Sequence, residues 1–295
     1  MSLLNGRKKS VVRRLLTHKD RIPLDFAAWA STIFYHLIIN AKVSFLRLNC
    51  KLHLYMWSIC QKEINQFFSS LTGYIAIILF LLINGIFLFL LKDSSILDFG
   101  YASLDNFFEL APWVLLFLVP SLTMRTFSEE FRAGTFEIIK TMPVTELKIV
   151  VGKYIAVLVL ILFSILPTLI YVFTIHSLSQ TTIDSGGISG SYAGLFLLAS
   201  TFASIGLFCS SLTNNGVVAF LLSAFVCLLL YFGFNALSKI QVFQGNADYY
   251  IEMLGIDFHY RSISRGVLDS RDVVYFFSLI VLTLYGTSKN LATNK

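Results

Sequence analysis

The 295-residue chain is 56% hydrophobic and only 14% charged, with a mean hydropathy of +0.73. Water-soluble domains carry about 25% charged residues, so the composition excludes an ordinary soluble domain and points to an integral membrane protein. The net charge of +6 fits the Lys/Arg excess on the cytoplasmic side of membrane proteins, not nucleic-acid binding.

Residues 1–55 hold a basic stretch from Arg7 to Arg21, a 14-residue apolar run at 26–39, and then Lys42, Arg47 and Lys51. Read as a signal peptide, this segment lacks a small-x-small cleavage site; a basic interfacial stretch is a second reading. Met56 opens a more coherent protein, so 1–55 is expected to be a basic N-terminal extension upstream of the true start. The intact mass of the natural protein tests this. From Met56, "MWSICQKEINQFFSSLTGY" reads as an interfacial amphipathic helix over 56–73. Trp57, Phe67, Phe68 and Tyr74 supply interfacial aromatics, with Lys62 and Glu63 toward water. An ordinary lead-in to a first span has the same spacing.

A helix that crosses the hydrocarbon core needs about 20 apolar residues. Six such spans are expected, at about 74–91, 107–124, 154–176, 192–211, 217–237 and 273–288, making 74–288 an all-α six-span domain. The second is weakened by Glu109, Pro112 and Pro120, and Pro167 is expected to kink the third. The 54 residues 185–238 hold no charge at all, and "TNNG" at 213–216 divides them into two spans. With both termini in the cytoplasm, the cytoplasmic side carries 18 Lys/Arg and the outer side 5, as the positive-inside rule requires. Residues 239–272 then form an outer loop, and 125–153 a cytoplasmic one.

The spans are chemically quiet. They contain no Asp, Lys or Arg, where ion-coupled transporters place ionisable groups. Asn84, Ser164, Thr168, Ser200, Thr201 and Ser204 read as interhelical packing or hydrogen bonding more readily than as substrate ligands. No Ser/His pair, aspartate pair or HExxH motif supports intramembrane hydrolysis. Cys50, Cys60, Cys209 and Cys227 lack CxxC or metal-ligand spacing, so no catalytic or metal site is expected. Nor is there a P-loop: Gly152-Lys153 is followed by Tyr154, and Leu147 stands where the first Gly belongs. No cofactor is expected on this chain, and energy must come from a partner.

The cytoplasmic loop carries five basic and four acidic residues in 29. Placed on one helix, Phe127, Phe131, Gly134, Ile138 and Met142 share a stripe opposite Glu129, Glu130, Glu137 and Lys140. Thr126 and Glu129 have capping-box spacing, and Pro143 ends the helix. Gly134 is the point where it could divide. Phe136 falls among the charges near Glu129, Arg132 and Lys140. An aromatic with a polar rim is the make-up of a docking site, although a lone exposed aromatic is also common on surfaces that bind nothing.

The stretch "EEFRAGTFEIIKTMPVTELKIVVGKY" resembles the loop between spans two and three of ABC-2 type ATP-binding-cassette transporter permeases. The resemblance rests on Glu129-Glu130, Arg132, Gly134-Thr135, Phe136-Glu137, Thr141, Pro143-Val144 and Gly152-Lys153. It implies a permease fold over 56–288, with the loop acting as the coupling helix on a separate ATPase. Glu129, Glu130, Arg132, Gly134, Thr135, Phe136, Glu137, Thr141 and Pro143 are then the expected docking residues. The implied partners are an ATP-binding-cassette ATPase subunit that binds the ATP, a second permease copy or paralogue, and membrane lipids; nucleic acid is not among them. "CQKEINQFFSSLTGYIAI" and "HYRSISRGVLDSRDVVYFFS" are similar to permeases of the gliding-motility-associated transporter, which implies a bacterial cytoplasmic (inner) membrane. A non-transporting scaffold of an envelope or motility machine is the alternative reading. ATPase stimulation by a substrate in liposomes separates the two. A secondary transporter or membrane enzyme ranks behind both.

Overall fold

The computed structural model describes residues 56–89, 104–141, 144–178, 185–240, 248–267 and 269–293, where every regular element is a helix. The N-terminal extension lies outside the described residues. Helix α1 (Met56–Phe68) meets α2 (Leu71–Phe89) at 70°. Next come α3 (Asp105–Thr123), α4 (Arg125–Ala133), the short α5 (Phe136–Lys140) and α6 (Glu146–Ile165). A 3-10 turn at Leu166–Thr168, centred on Pro167, passes α6 into α7 (Leu169–Leu178). The remaining helices are α8 (Ser185–Ser211), α9 (Gly216–Leu228), α10 (Phe234–Ser238), α11 (Asp248–Glu252), α12 (Ile256–Ile263) and α13 (Ser270–Thr293). A π-helical turn, Leu229–Gly233, joins α9 to α10.

Among the described residues, four helical stretches are long and apolar enough to cross a bilayer: Asp105–Ala133, Glu146–Thr174, Gly186–Ser211 and Gly216–Ser238. The bent pair Met56–Phe68 and Gly73–Phe89 makes a fifth if it counts as one span. The expected sixth, 273–288, falls in α13, which is long enough but less apolar. α13 buries Phe276, Ile280 and Leu291 and leaves Val274, Phe277, Val281 and Leu282 exposed.

α8 is the central helix, packed by α3, α6, α9 and α13. Its small side chains explain the position. Ala199, Ser200, Ala203 and Ser204 are buried, and a Cβ on Gly206 would stand 2.1 Å from Thr123 Oγ1, so only glycine admits α3 this closely. The span hydroxyls mostly bond back to their own helix: Ser164 to Leu160 O, Thr201 to Leu197 O and Ser204 to Thr201 O. The expected turn between spans four and five forms with Asn215 as N-cap, its Oδ1 accepting from Val217 N at 3.0 Å.

Pro112 and Pro120 do not break α3, which runs through both. Pro112 has no N–H to offer Phe108 O, and the Tyr260 hydroxyl of α12 donates to that carbonyl instead, at 2.8 Å. In a medium without water, such replacement is what makes an internal proline tolerable. The same bond ties the α11–α12 segment to the first turn of α3. The last turn of α3 leads to α4, so α12 and α4 mark opposite ends of the bundle.

Candidate functional site

The candidate site is at the α4 end. α3 does not stop at Met124. That residue keeps helical angles, φ −55° and ψ −32°, and its N–H donates to Pro120 O. The expected capping box at Thr126 and Glu129 is therefore absent, because no free helix start exists for it to cap. Ser210 of α8 fills the irregular junction instead: its Oγ accepts from the N–H groups of Phe127 and Ser128 at 3.2 and 3.3 Å and donates to Met124 O at 3.1 Å. Ser128 Oγ also donates to Met124 O. Glu129 pairs with Arg125 at 3.2 Å.

The loop is an elbow, not the single helix over 127–142 that the periodicity suggests. Gly134 takes φ +67°, a conformation that only glycine adopts at no cost. Gly134 N–H donates to Phe131 O and Thr135 N–H to Glu130 O, the bond pattern of a Schellman stop. The reversal changes the phase of everything that follows. Phe136, expected among the charges as an exposed anchor, is 5% exposed. Its ring meets Phe131 edge-on at 4.9 Å and Phe127 at 6.4 Å, and Lys140 Nζ lies over it at 5.2 Å. Ile138 comes outward in its place, 64% exposed.

Beneath the elbow is a buried ionic cluster. Lys153 of α6 is 0% exposed. Its Nζ donates to Glu63 Oε1 of α1 at 2.8 Å and to Thr126 O at 2.6 Å. It also lies 2.9 Å from Glu130 Oε2, outside hydrogen-bonding angles, so that contact is electrostatic. The same ammonium lies 4.8 Å over the Phe127 ring. Lys62 Nζ completes the cluster by donating to Glu130 Oε1 at 2.8 Å. Two basic side chains face two acidic ones, so the cluster is balanced in charge, as a buried ion pair needs. Burial pulls the Lys62 ammonium down, but its hydrogen bond to Glu130 and the charges of Glu130 and Glu63 outweigh this and leave its pKa raised. Burial, then the Glu63 charge, pushes the Cys60 thiol up.

Two expectations need correction here. Glu130 is not part of an exposed rim: its side chain is 9% exposed and engaged by Lys62 and Lys153. Glu63 does not face water either, at 13% exposed on Lys153. Of the other expected docking residues, Arg132, Gly134, Thr135, Glu137 and Thr141 are exposed and Glu129 is half-buried. Pro143 lies outside the described residues. The residues that sequence reasoning missed are Lys62, Glu63, Lys153 and Ser210. A usable signal existed for one: Lys153 follows Gly152 at the head of an apolar run, where a charge needs a partner. A Cβ on Gly152 would lie 3.2 Å from Met56 O, so that glycine lets α1 reach the cluster.

Among the described residues, no group of three or more His, Cys, Asp or Glu could hold a metal ion. An exposed elbow is braced from below by aromatics, runs into α3, and is bonded through one carboxylate to α1 and α6.

A family model described as ABC-2 family transporter protein matches residues 93–249, just over half of the chain. No curated protein matches it. The matched region contains α3 to α10 with the whole elbow, and members of this family work with an ATP-binding-cassette ATPase subunit. The chain belongs to the ABC-2 transporter family, as a multi-pass membrane permease subunit of an ATP-binding-cassette transporter.

Proposed function

We propose that the α4–α5 elbow is the coupling element on which the ATPase subunit docks, and that the ionic cluster beneath it passes the motion into the membrane. The observation that carries this is the connectivity of Glu130, which holds both Lys62 of α1 and Lys153 of α6. A push on α4 thereby loads three helices: α3 by direct continuation, α6 through Lys153, and α1 through Lys62 and Glu63. The docking face consists of Arg132, Thr135, Glu137, Ile138 and Thr141, with Glu129 at its edge. Ile138 is its apolar anchor and the charges its rim, the usual division in interfaces. Phe136 acts from inside, fixing the angle between α4 and α5.

On this reading the chain makes six crossings, with α13 the last, and the elbow and both termini lie in the cytoplasm of a bacterial inner membrane. Six crossings are half of the usual dozen, so a second permease copy or paralogue completes the channel, and ATP is bound and hydrolysed on the partner ATPase. The finer assignment, to the gliding-motility-associated system, is supported by the resemblance at 60–77 and 259–278.

The test is affinity purification in mild detergent. An ATP-binding-cassette subunit should accompany the wild-type chain and be lost from Ile138→Lys and Glu137→Lys, both of which should still insert. Undiminished co-purification from both variants would contradict docking at the elbow.

A further inference from the structure

α2 packs along α3 and touches α6 only lightly, leaving a groove of about 690 Å³ lined by these three helices together with α1, α4 and Phe220 of α9. Its floor is apolar, built from Phe80, Leu118, Val157 and Leu160, with Leu79 and Phe117 on the rim. Its lining also includes polar groups from α1, the α1–α2 bend and α4, among them Gln66, Ser70, Arg125 and Glu129. The lining on α2 runs from Gly73 to Phe87, about 21 Å at 1.5 Å per residue. One leaflet of a bilayer core is about 15 Å deep, so the groove accommodates an extended acyl chain from the headgroup level to beyond the midplane.

We propose that this groove binds the acyl chain of a zwitterionic phospholipid, with the head at the Arg125–Glu129 pair. Those two side chains are 44% and 45% exposed and 3.2 Å apart. A head carrying both phosphate and ammonium can open the pair and replace each partner, phosphate on the Arg125 guanidinium and ammonium on the Glu129 carboxylate. Charge balance is then kept. An anionic head would satisfy Arg125 but leave the Glu129 carboxylate facing negative charge. Arginine suits the phosphate because its planar donors match phosphate oxygens. The site shares only Glu129, at the edge of the docking face, with the proposed ATPase surface, and its test needs no ATPase, so the failure of one leaves the other standing.

The experiment is native mass spectrometry of the full chain released from nanodiscs of equal parts phosphatidylethanolamine and phosphatidylglycerol. One phosphatidylethanolamine should be retained per chain in preference to phosphatidylglycerol. Arg125→Gln and Glu129→Gln should each reduce retention about tenfold, the loss expected of one charge-assisted hydrogen bond. Ala76→Phe, which fills the groove, should abolish it, and Leu79→Trp on the exposed rim serves the same purpose if Ala76→Phe does not fold. Equal retention of the two lipids, preference for phosphatidylglycerol, or undiminished retention in the filled variants would overturn the proposal.

Discussion

Replacing Lys153 by Met keeps an unbranched side chain one atom shorter and removes its charge. The ammonium is fully buried and lies within 2.9 Å of one oxygen each of Glu63 and Glu130. At an effective dielectric constant of 20, each such contact has a gross attraction of about 6 kcal/mol, against a desolvation penalty of several kcal/mol for the buried ammonium. Removing one partner of a buried pair costs about 3–5 kcal/mol, because the remaining charge is left without compensation. Lys153→Met should therefore destabilise the chain by about that amount, leaving two carboxylates against Lys62 alone. Lys62 itself is 53% exposed on its side chain, so Lys62→Ala should cost no more than about 1 kcal/mol. The sign of a double substitution is diagnostic: Glu63→Gln added to Lys153→Met restores neutrality and should recover part of the loss. Unfolding by denaturant in detergent, followed by circular dichroism, measures all three. A Lys153→Met chain within about 0.5 kcal/mol of wild type, or a double variant less stable than the single, would refute the reasoning.

Phe136→Ala should behave as a core truncation costing about 3–5 kcal/mol in thermal or denaturant unfolding; a negligible cost would mean that the ring does not brace the elbow. Tyr260→Phe deprives Phe108 O of its donor and should lower stability by about 1–3 kcal/mol, so an unchanged melting temperature would show that α3 tolerates Pro112 without help. In a chain with the other three cysteines replaced by Ser, Cys60 should resist maleimide. It is 2% exposed and its thiol is pushed above the ordinary 9.0 by burial and by Glu63. Because the thiolate is the reactive form, the alkylation rate should still be rising above pH 9, and Lys153→Met should speed it by freeing α1. A plateau below pH 9 would contradict the buried setting.

The long apolar runs made most of the membrane helices legible, since 20 residues without charge leave a helix few alternatives in a bilayer. The elbow was legible as a location but not as a shape. Helical periodicity assumes constant phase, and one left-handed residue, Gly134, resets it, carrying Phe136 inward and Ile138 outward. The ionic cluster was hidden for a different reason: Lys153 lies 90 residues from Glu63, and no local pattern records a pairing at that range. The same holds for Tyr260 and Phe108, 152 residues apart; Pro112 flagged the need for a donor without naming it. The sixth span was legible only as the apolar middle of α13, 273–288, because Arg271, Asp272 and Lys289 flank it within the same helix.

The most direct test of the central claim is a photo-crosslinking residue placed at position 138, with a second chain carrying it at Phe173, which is 77% exposed on α7 within the apolar stretch Glu146–Thr174. Irradiation of intact cells should join position 138, and not position 173, to an ATP-binding-cassette subunit. Capture of that subunit from position 173, or only of lipid or unrelated protein from position 138, would contradict the account.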